Sequence, residues 1–135
     1  MENFKCAFAA PLITKQFGCH HALEVTRRGG PDIACQSEPA HQRCGQLFDE
    51  LKAAALPAMG HVDDLNLTPA SVYTKLQYGG LLGLRRQLDQ APAVAERIDD
   101  IDALVARLTE TYPDPATLPC QAVVPDITAF RLRRR

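Results

Sequence analysis

Hydrophobic residues recur at helical spacing over three stretches, at about residues 46–57, 69–90 and 93–111. In the last stretch, charged side chains occupy the face opposite the apolar one, as in a helix that covers a core. The apolar positions of that stretch are Val94, Ile98, Ile101, Leu104, Val105 and Leu108. The middle stretch opens with Thr68-Pro69, an N-cap residue followed by proline at the first helical position. The pattern predicts three helices.

Gly79 and Gly80 interrupt the middle stretch. Two glycines cost about 2 kcal/mol relative to alanines in a helix interior. We therefore expect either a break in the helix or a close approach of a neighbouring backbone. The run Gly79-Gly80-x-x-Gly83 lacks the preceding strand and the Lys-Ser/Thr ending of a phosphate loop, so helix packing is the favoured interpretation.

The two ends of the chain lack this periodicity. Glycine and proline punctuate residues 1–45, so few regular elements longer than two turns are expected there. Four prolines in residues 113–135 predict an extended arm with a basic end. The expected fold is mainly α. A small single globular domain over 1–112 consists of a loop-rich N-terminal metal lobe (1–45) and a helical part (46–112), and the arm follows it.

Composition supports packed helices and limits the location of the protein. Tryptophan is absent and aromatic residues make up only 6% of the 135 residues, whereas strand-rich sandwiches usually carry more of them. The chain has no run of about 18 apolar residues that could span a membrane. Its first residues do not have the pattern of a secretory signal. We therefore expect a cytoplasmic protein in a reducing compartment.

Four of the five cysteines lie within the first 44 residues, at Cys6, Cys19, Cys35 and Cys44, with the spacing C-x12-C-x15-C-x8-C. In a reducing compartment, clustered cysteines bind metal or carry out redox chemistry more often than they form disulfides. Four thiolates are the number that one zinc ion or one iron–sulfur cluster needs. A bound metal would also explain how so long an irregular segment keeps a fold.

The spacing separates two metal hypotheses. Zinc fingers and ribbons usually take two ligands from a C-x2-C knuckle, which is absent here. Wide spacing suits a [4Fe–4S] cluster, whose irons can be reached from separate loops, although the C-x2-C-x2-C run of ferredoxins is also missing. We expect a [4Fe–4S] cluster on these four cysteines, with Zn as the alternative cofactor and metal-free buried cysteines as a third interpretation. Cys120, in the predicted arm, is not expected to be a ligand.

Three histidines accompany these cysteines. His20 or His21, next to Cys19, could replace one cysteine as a ligand or donate a hydrogen bond to a sulfur, and both could equally be loop histidines. His41 precedes Cys44 by three residues, which on a helix would place both side chains on one face. That geometry suits a group that supports the ligands rather than one that binds the metal.

These observations predict a small cytosolic iron–sulfur protein that acts in electron transfer, in redox sensing or as an accessory to a larger redox enzyme. The alternative is a zinc-stabilised interaction module that binds a protein or nucleic acid. We do not expect an enzyme, because the sequence shows no acid–base pair and no substrate-binding motif. A cysteine–histidine nucleophile pair would also need an oxyanion hole, and the flanking sequence gives no indication of one.

Charge is distributed unevenly along the chain, although the net charge is only −1. Four arginines in residues 131–135 predict contact with a larger redox protein or an acidic protein surface. Nucleic acid is a less favoured partner, and no membrane association is expected, because the whole chain is nearly neutral. Asp99, Asp100 and Asp102 are expected to form the solvated face of a helix.

Overall fold

The computed structural model describes residues 4–28, 30–64, 66–89 and 98–130. In these ranges the α-helices are α1 Ala9–Ile13, α2 Glu38–Ala58, α3 Ala70–Asp89, α4 Ile101–Thr111 and α5 Val124–Ala129. The strands are β1 Phe4–Lys5, β2 Ala22–Arg27 and β3 Gly30–Cys35. The described part of the chain is therefore mainly α, as the hydrophobic pattern predicts.

Helix α2 begins eight residues before the predicted start at residue 46. Ser37 is its N-cap, and the Ser37 hydroxyl oxygen accepts a hydrogen bond from the backbone N–H of Ala40 at 3.3 Å. Pro39 lies in the first turn, where a backbone N–H has no partner within the helix in any case. A proline that looks like a break in the sequence therefore belongs to the start of the longest helix.

The other two predicted helices differ from the structure to different degrees. Helix α3 matches the predicted range 69–90 to within one residue at each end. The helix predicted at residues 93–111 corresponds to α4, which begins at Ile101 and ends at Thr111. The side chain of Asp100 accepts a hydrogen bond from the N–H of Asp102 and caps α4. Residues 93–97, including Val94, lie outside the described residues.

A small antiparallel sheet occupies much of the N-terminal segment, which the sequence predicted to be rich in loops. Strands β2 and β3 form a hairpin in which Ala22 lies opposite Cys35 and Arg27 opposite Gly30. Strand β1 pairs with the other edge of β3, so the strand order is β1-β3-β2. Gly30 has a φ of 116°, in the left-handed region that glycine adopts at little cost. The hairpin thus brings Cys35 back towards β1.

Helix α3 runs without a break through its glycines. A Cβ atom on Gly79 would lie 2.7 Å from the Cα of Ile127, and one on Gly83 would lie 2.8 Å from the Cβ of Val123. These glycines therefore allow the backbone of the C-terminal segment to approach α3 closely. Of the two predicted outcomes, the close approach is confirmed and the break is not.

The C-terminal segment packs onto the domain as far as Phe130, which differs from the predicted extended arm 113–135. Two 3-10 turns, Pro115–Thr117 and Gln121–Val123, precede α5. The ring of Phe130 stacks on Tyr78 of α3, with 5.1 Å between ring centroids. The buried residues of the segment are Cys120, Val123 and Ile127.

Two of the prolines that suggested an arm occupy helical first turns. Pro115 opens a 3-10 turn and Pro125 lies at the start of α5, and at such positions the fixed φ of proline favours the helix. Arg86 of α3 donates a hydrogen bond to Asp126 of α5 at 2.7 Å, which adds a polar link to the apolar contacts. Residues 131–135 lie outside the described residues.

One continuous hydrophobic core joins the N-terminal segment to the helices. Phe8, Phe17 and Ile33 from the N-terminal segment belong to the same buried cluster as the apolar faces of α2, α3 and α4. The predicted metal lobe and helical part therefore share their interior. Within the described ranges, no helix combines the length and apolar character needed to cross a membrane.

Substitution of Gly79 tests whether the close contact between α3 and α5 stabilises the fold. Gly79→Ala should lower the free energy of unfolding by about 1–3 kcal/mol, because its methyl group meets backbone that must move. Gly45→Ala in α2 is the matched control: its Cβ would meet nothing within 4 Å, and alanine should stabilise the helix by about 0.5–1 kcal/mol. Urea unfolding followed by circular dichroism measures both. Equal effects would contradict the packing argument.

Candidate metal centre

Four separate segments bring cysteines to one cavity. Cys6 follows β1, Cys19 lies in the loop between α1 and β2, Cys35 ends β3, and Cys44 lies in the second turn of α2. All four line the same narrow cavity. The remaining lining residues are Ala7, Leu12, Ala40, His41, Ile101 and Asp102. The structure therefore brings together the four residues that the sequence selected as candidate ligands.

The cavity wall is mostly apolar. Alanine, leucine and isoleucine side chains supply the wall between the sulfurs, and only His41 and Asp102 add polar groups. Cys35 and Cys44 are buried, while Cys6 and Cys19 are partly exposed. None of the five cysteines forms a disulfide. Four free thiols thus face one another in a setting that largely excludes water.

Shared lining of one cavity does not by itself distinguish zinc from a cluster. Among the described residues, the group of ligand atoms that lie within 4.8 Å of one another consists of His20, His21 and Asp102 and includes no cysteine. Tetrahedral zinc binds all four sulfurs on one ion, whereas a cluster binds each sulfur to a different iron atom. The metal content of the protein therefore decides between the two.

Burial favours the protonated thiol at three of the four cysteines when no metal is bound. Desolvation raises the pKa of Cys6 to about 11 and raises the pKa of Cys19 and of Cys44 above the ordinary thiol value. Negative charge on Cys6 or Cys19 would raise the pKa of Cys44 further. Because thiolates are the metal-binding form, metal binding here must release protons and supply the charge that compensates them.

Backbone hydrogen bonds act against burial at two of the cysteines. They lower the pKa of Cys6 through Phe8 and the pKa of Cys19 through His21 and Asp102, although burial has the larger effect on both. Hydrogen bonds to ligating sulfurs also tune the potential of iron–sulfur clusters.

Gly18 places the Cys19 loop against the start of α4. Its N–H donates to the carbonyl oxygen of Ile98, and its own carbonyl oxygen accepts from the N–H of Ile101, both at 2.8 Å. A Cβ at Gly18 would lie 2.5 Å from the carbonyl oxygen of Asp99. Only glycine therefore allows this contact without movement of one backbone segment, and Cys19 depends on it for its position.

His41 lies on the cavity side of α2. It lines the cavity together with Cys44, which lies three residues further along the same helix. Its ring stacks on Phe4, with centroids 4.9 Å apart. Within the described part of the chain, the buried Nδ1 of His41 has no hydrogen-bond partner.

His20 and His21 lie at the rim of the site and face the start of α4. The Nδ1 of His20 lies 2.7 Å from the Oδ2 of Asp100, and its backbone N–H donates to the Oδ1 of the same carboxylate at 3.2 Å. Burial raises the pKa of Asp100, but the hydrogen bonds from His20 outweigh it and hold that pKa below its usual value. Neither histidine lines the cysteine cavity.

The prediction that the aspartates form a solvated face is wrong for Asp102. This residue is buried, and its carboxylate accepts a hydrogen bond from Arg43 of α2 at 3.1 Å. The sequence pattern predicted no role in the site for Asp102 or for Gly18. Asp100 in front of the apolar residue Ile101, with a second acidic residue in the first turn, is an N-cap signal that could have placed the helix start there.

Cys120 lies apart from the other cysteines. It is buried between the two C-terminal 3-10 turns and belongs to the hydrophobic core, not to the lining of the cavity. Desolvation, with a smaller contribution from Glu50, raises the pKa of its thiol to about 11.

No family model, curated protein or solved structure matches this chain. The interpretation of the site therefore depends on its own geometry and chemistry.

Substitution of Gly18 tests the placement of the Cys19 loop. Gly18→Ala should lower the free energy of unfolding by about 1–3 kcal/mol and reduce the amount of metal retained, because the loop must move away from α4. Metal analysis and thermal unfolding measure the two effects. Gly45→Ala should retain wild-type metal content, and full metal retention by Gly18→Ala would show that the loop position is not needed.

Alkylation tests the environment of Cys120. A pKa of about 11, against 9.0 for a free thiol, leaves about a hundredfold less thiolate at pH 8, so iodoacetamide should modify Cys120 correspondingly slowly. The rate should rise about tenfold per pH unit between pH 7 and 9, and denaturation should remove the protection. Mass spectrometry of the labelled peptides measures the rate. Rapid labelling of the folded protein would show that Cys120 is accessible.

Proposed function

We propose that this protein is a small iron–sulfur protein that holds one [4Fe–4S] cluster through Cys6, Cys19, Cys35 and Cys44. Its role is electron transfer, redox sensing or service as an accessory to a larger redox enzyme. The observation that carries the proposal is the convergence of four thiols, from four separate segments, on one apolar cavity. A cytoplasmic location is part of the proposal, because a reducing compartment keeps such thiols free.

The donor set fits a cluster in number and type. Four soft sulfur ligands match the four irons of a cubane, and the wide spacing of the cysteines along the chain lacks the C-x2-C knuckle usual for zinc. The backbone hydrogen bonds that lower the pKa of Cys6 and Cys19 would also stabilise thiolate ligands. The unpartnered Nδ1 of His41 adds a polar group at the cavity wall.

A bound cluster supplies one-electron chemistry, and the surrounding chain shields it. The apolar wall limits the access of water, and the partial exposure of Cys6 and Cys19 leaves one side of the site near the surface. We propose a carrier or sensor rather than an enzyme, because the lining residues hold and cover a group and do not form an acid–base pair aimed at a substrate.

The partner remains a prediction from the sequence alone. The four arginines of residues 131–135 would contact a larger redox protein or an acidic protein surface through charge complementarity. The zinc-stabilised interaction module is the competing function, and the metal content of the protein decides between the two.

Anaerobic purification with metal and sulfide analysis tests the proposal. Wild-type protein should be brown and contain about four irons and four sulfides per chain. Serine substitution of any one of the four cavity cysteines should remove most of the iron and the visible absorption. Cys120→Ser is the matched control and should keep both, because Cys120 lies outside the cavity.

Two results would overturn this function. A colourless protein with one zinc per chain that is lost when a cavity cysteine is replaced by serine would establish the zinc module instead. A protein whose cavity cysteines bind neither iron nor zinc, also after reconstitution with iron and sulfide, would show that these cysteines are buried apolar residues. Equal loss of iron in Cys120→Ser and in the cavity variants would contradict the assignment of ligands.

A further inference from the structure

Three potential metal ligands meet beside the cysteine cavity. The Nε2 of His20 and the Nε2 of His21 lie 3.6 Å and 3.5 Å from the same Oδ2 atom of Asp102. One ligand atom from each of the three residues lies within 4.8 Å of the other two. Nitrogen and oxygen ligands about 2.0–2.1 Å from a tetrahedral zinc ion lie about 3.4 Å apart. The two measured distances are close to that value.

The contacts around this group orient its ligand atoms. The Nδ1 of His20 is paired with the carboxylate of Asp100 at 2.7 Å, which places the proton of a neutral ring on Nδ1 and leaves the lone pair of Nε2 towards Asp102. Metal-bound histidines usually have such a carboxylate partner on the opposite ring nitrogen. Arg43 holds the Oδ1 of Asp102 at 3.1 Å, so that Oδ2 is the atom left for a metal.

Negative charge is concentrated at this group. The exposed ring of His20 lies between two carboxylates, with Asp100 on its Nδ1 side and the buried Asp102 on its Nε2 side. The ring of His21 lies against that of His20, with centroids 3.9 Å apart, so the second imidazole is close to the same point. A metal ion between these ligand atoms adds positive charge where the carboxylates are concentrated.

We propose that His20, His21 and Asp102 form a second metal site, for a single Zn²⁺ ion, separate from the four-cysteine site. Two imidazoles and one carboxylate are donors that suit this borderline ion. Three protein ligands leave a fourth tetrahedral position for water, and the side chain of His20 is 56% exposed, so water reaches this group. The ion would join the Cys19 loop to the first turn of α4.

Zinc binding to full-length protein, purified anaerobically, tests the site. Wild-type protein should bind one Zn²⁺ per chain more than His20→Ala or His21→Ala, while iron and sulfide contents stay the same in all three. His61→Ala is the control, because His61 lies outside the group and should leave zinc binding unchanged. Competition with a chromophoric chelator measures affinity, and circular dichroism establishes that each variant is folded.

A milder substitution tests the same site if the alanine variants do not fold. Asp100→Asn keeps a good N-cap residue on α4 but removes the carboxylate that orients His20. It should weaken zinc binding about 10–100-fold without changing the iron content. Unchanged zinc affinity in Asp100→Asn would contradict the proposed role of the His20 contact.

Co²⁺ as a probe separates this site from the cysteines. Co²⁺ on His20, His21 and Asp102 should give weak visible bands without the strong thiolate-to-cobalt charge-transfer band, and His21→Ala should lose them. The absence of histidine-dependent Co²⁺ bands and of histidine-dependent Zn²⁺ in wild type would overturn the proposal. Iron and sulfide contents report on the cysteine site independently, so either proposal can fail alone.

Discussion

The geometry of the cysteine site depends on the packing of α2. This helix of 21 residues is about 30 Å long. Its first two turns bring His41 and Cys44 to the cavity, and its middle packs Leu51 against α3, where a Cβ at Gly80 would lie only 2.9 Å from the Leu51 side chain. Because one rigid helix makes both sets of contacts, the position of the Cys44 sulfur is set by the core as well as by the site.

The hydrophobic pattern predicted the limits of α3 closely, but it missed the helical turns that begin at Pro39 and Pro125. Helix α3 agrees with its predicted limits because periodicity and the Thr68-Pro69 signal coincide. Pro39 and Pro125 were interpreted as breaks or as marks of extended chain, yet each lies in a helical first turn, where proline is favourable. A proline alone does not distinguish the start of a helix from its absence. Only the packing of the following residues does.

The candidate ligands were visible in the sequence, but their surroundings were not. The count and the types of Cys6, Cys19, Cys35 and Cys44 suffice to select them as candidates, since four thiols are the number that one zinc ion or one cluster needs. The rest of the site comes from α4, where Asp102 carries polar contacts to residues 59 to 82 positions away in the chain. Such contacts arise only from tertiary packing, which hydrophobic periodicity does not report.

The closure of the cavity by α4 has a consequence for synthesis on the ribosome. The four thiols all belong to the first 44 residues, whereas Ile101 and Asp102, which complete the wall, are translated more than 50 residues later. Protein chains fold as they emerge, N-terminal parts first. The four cysteines would therefore remain open on the nascent chain until α4 is made, and only the complete domain would close the cavity.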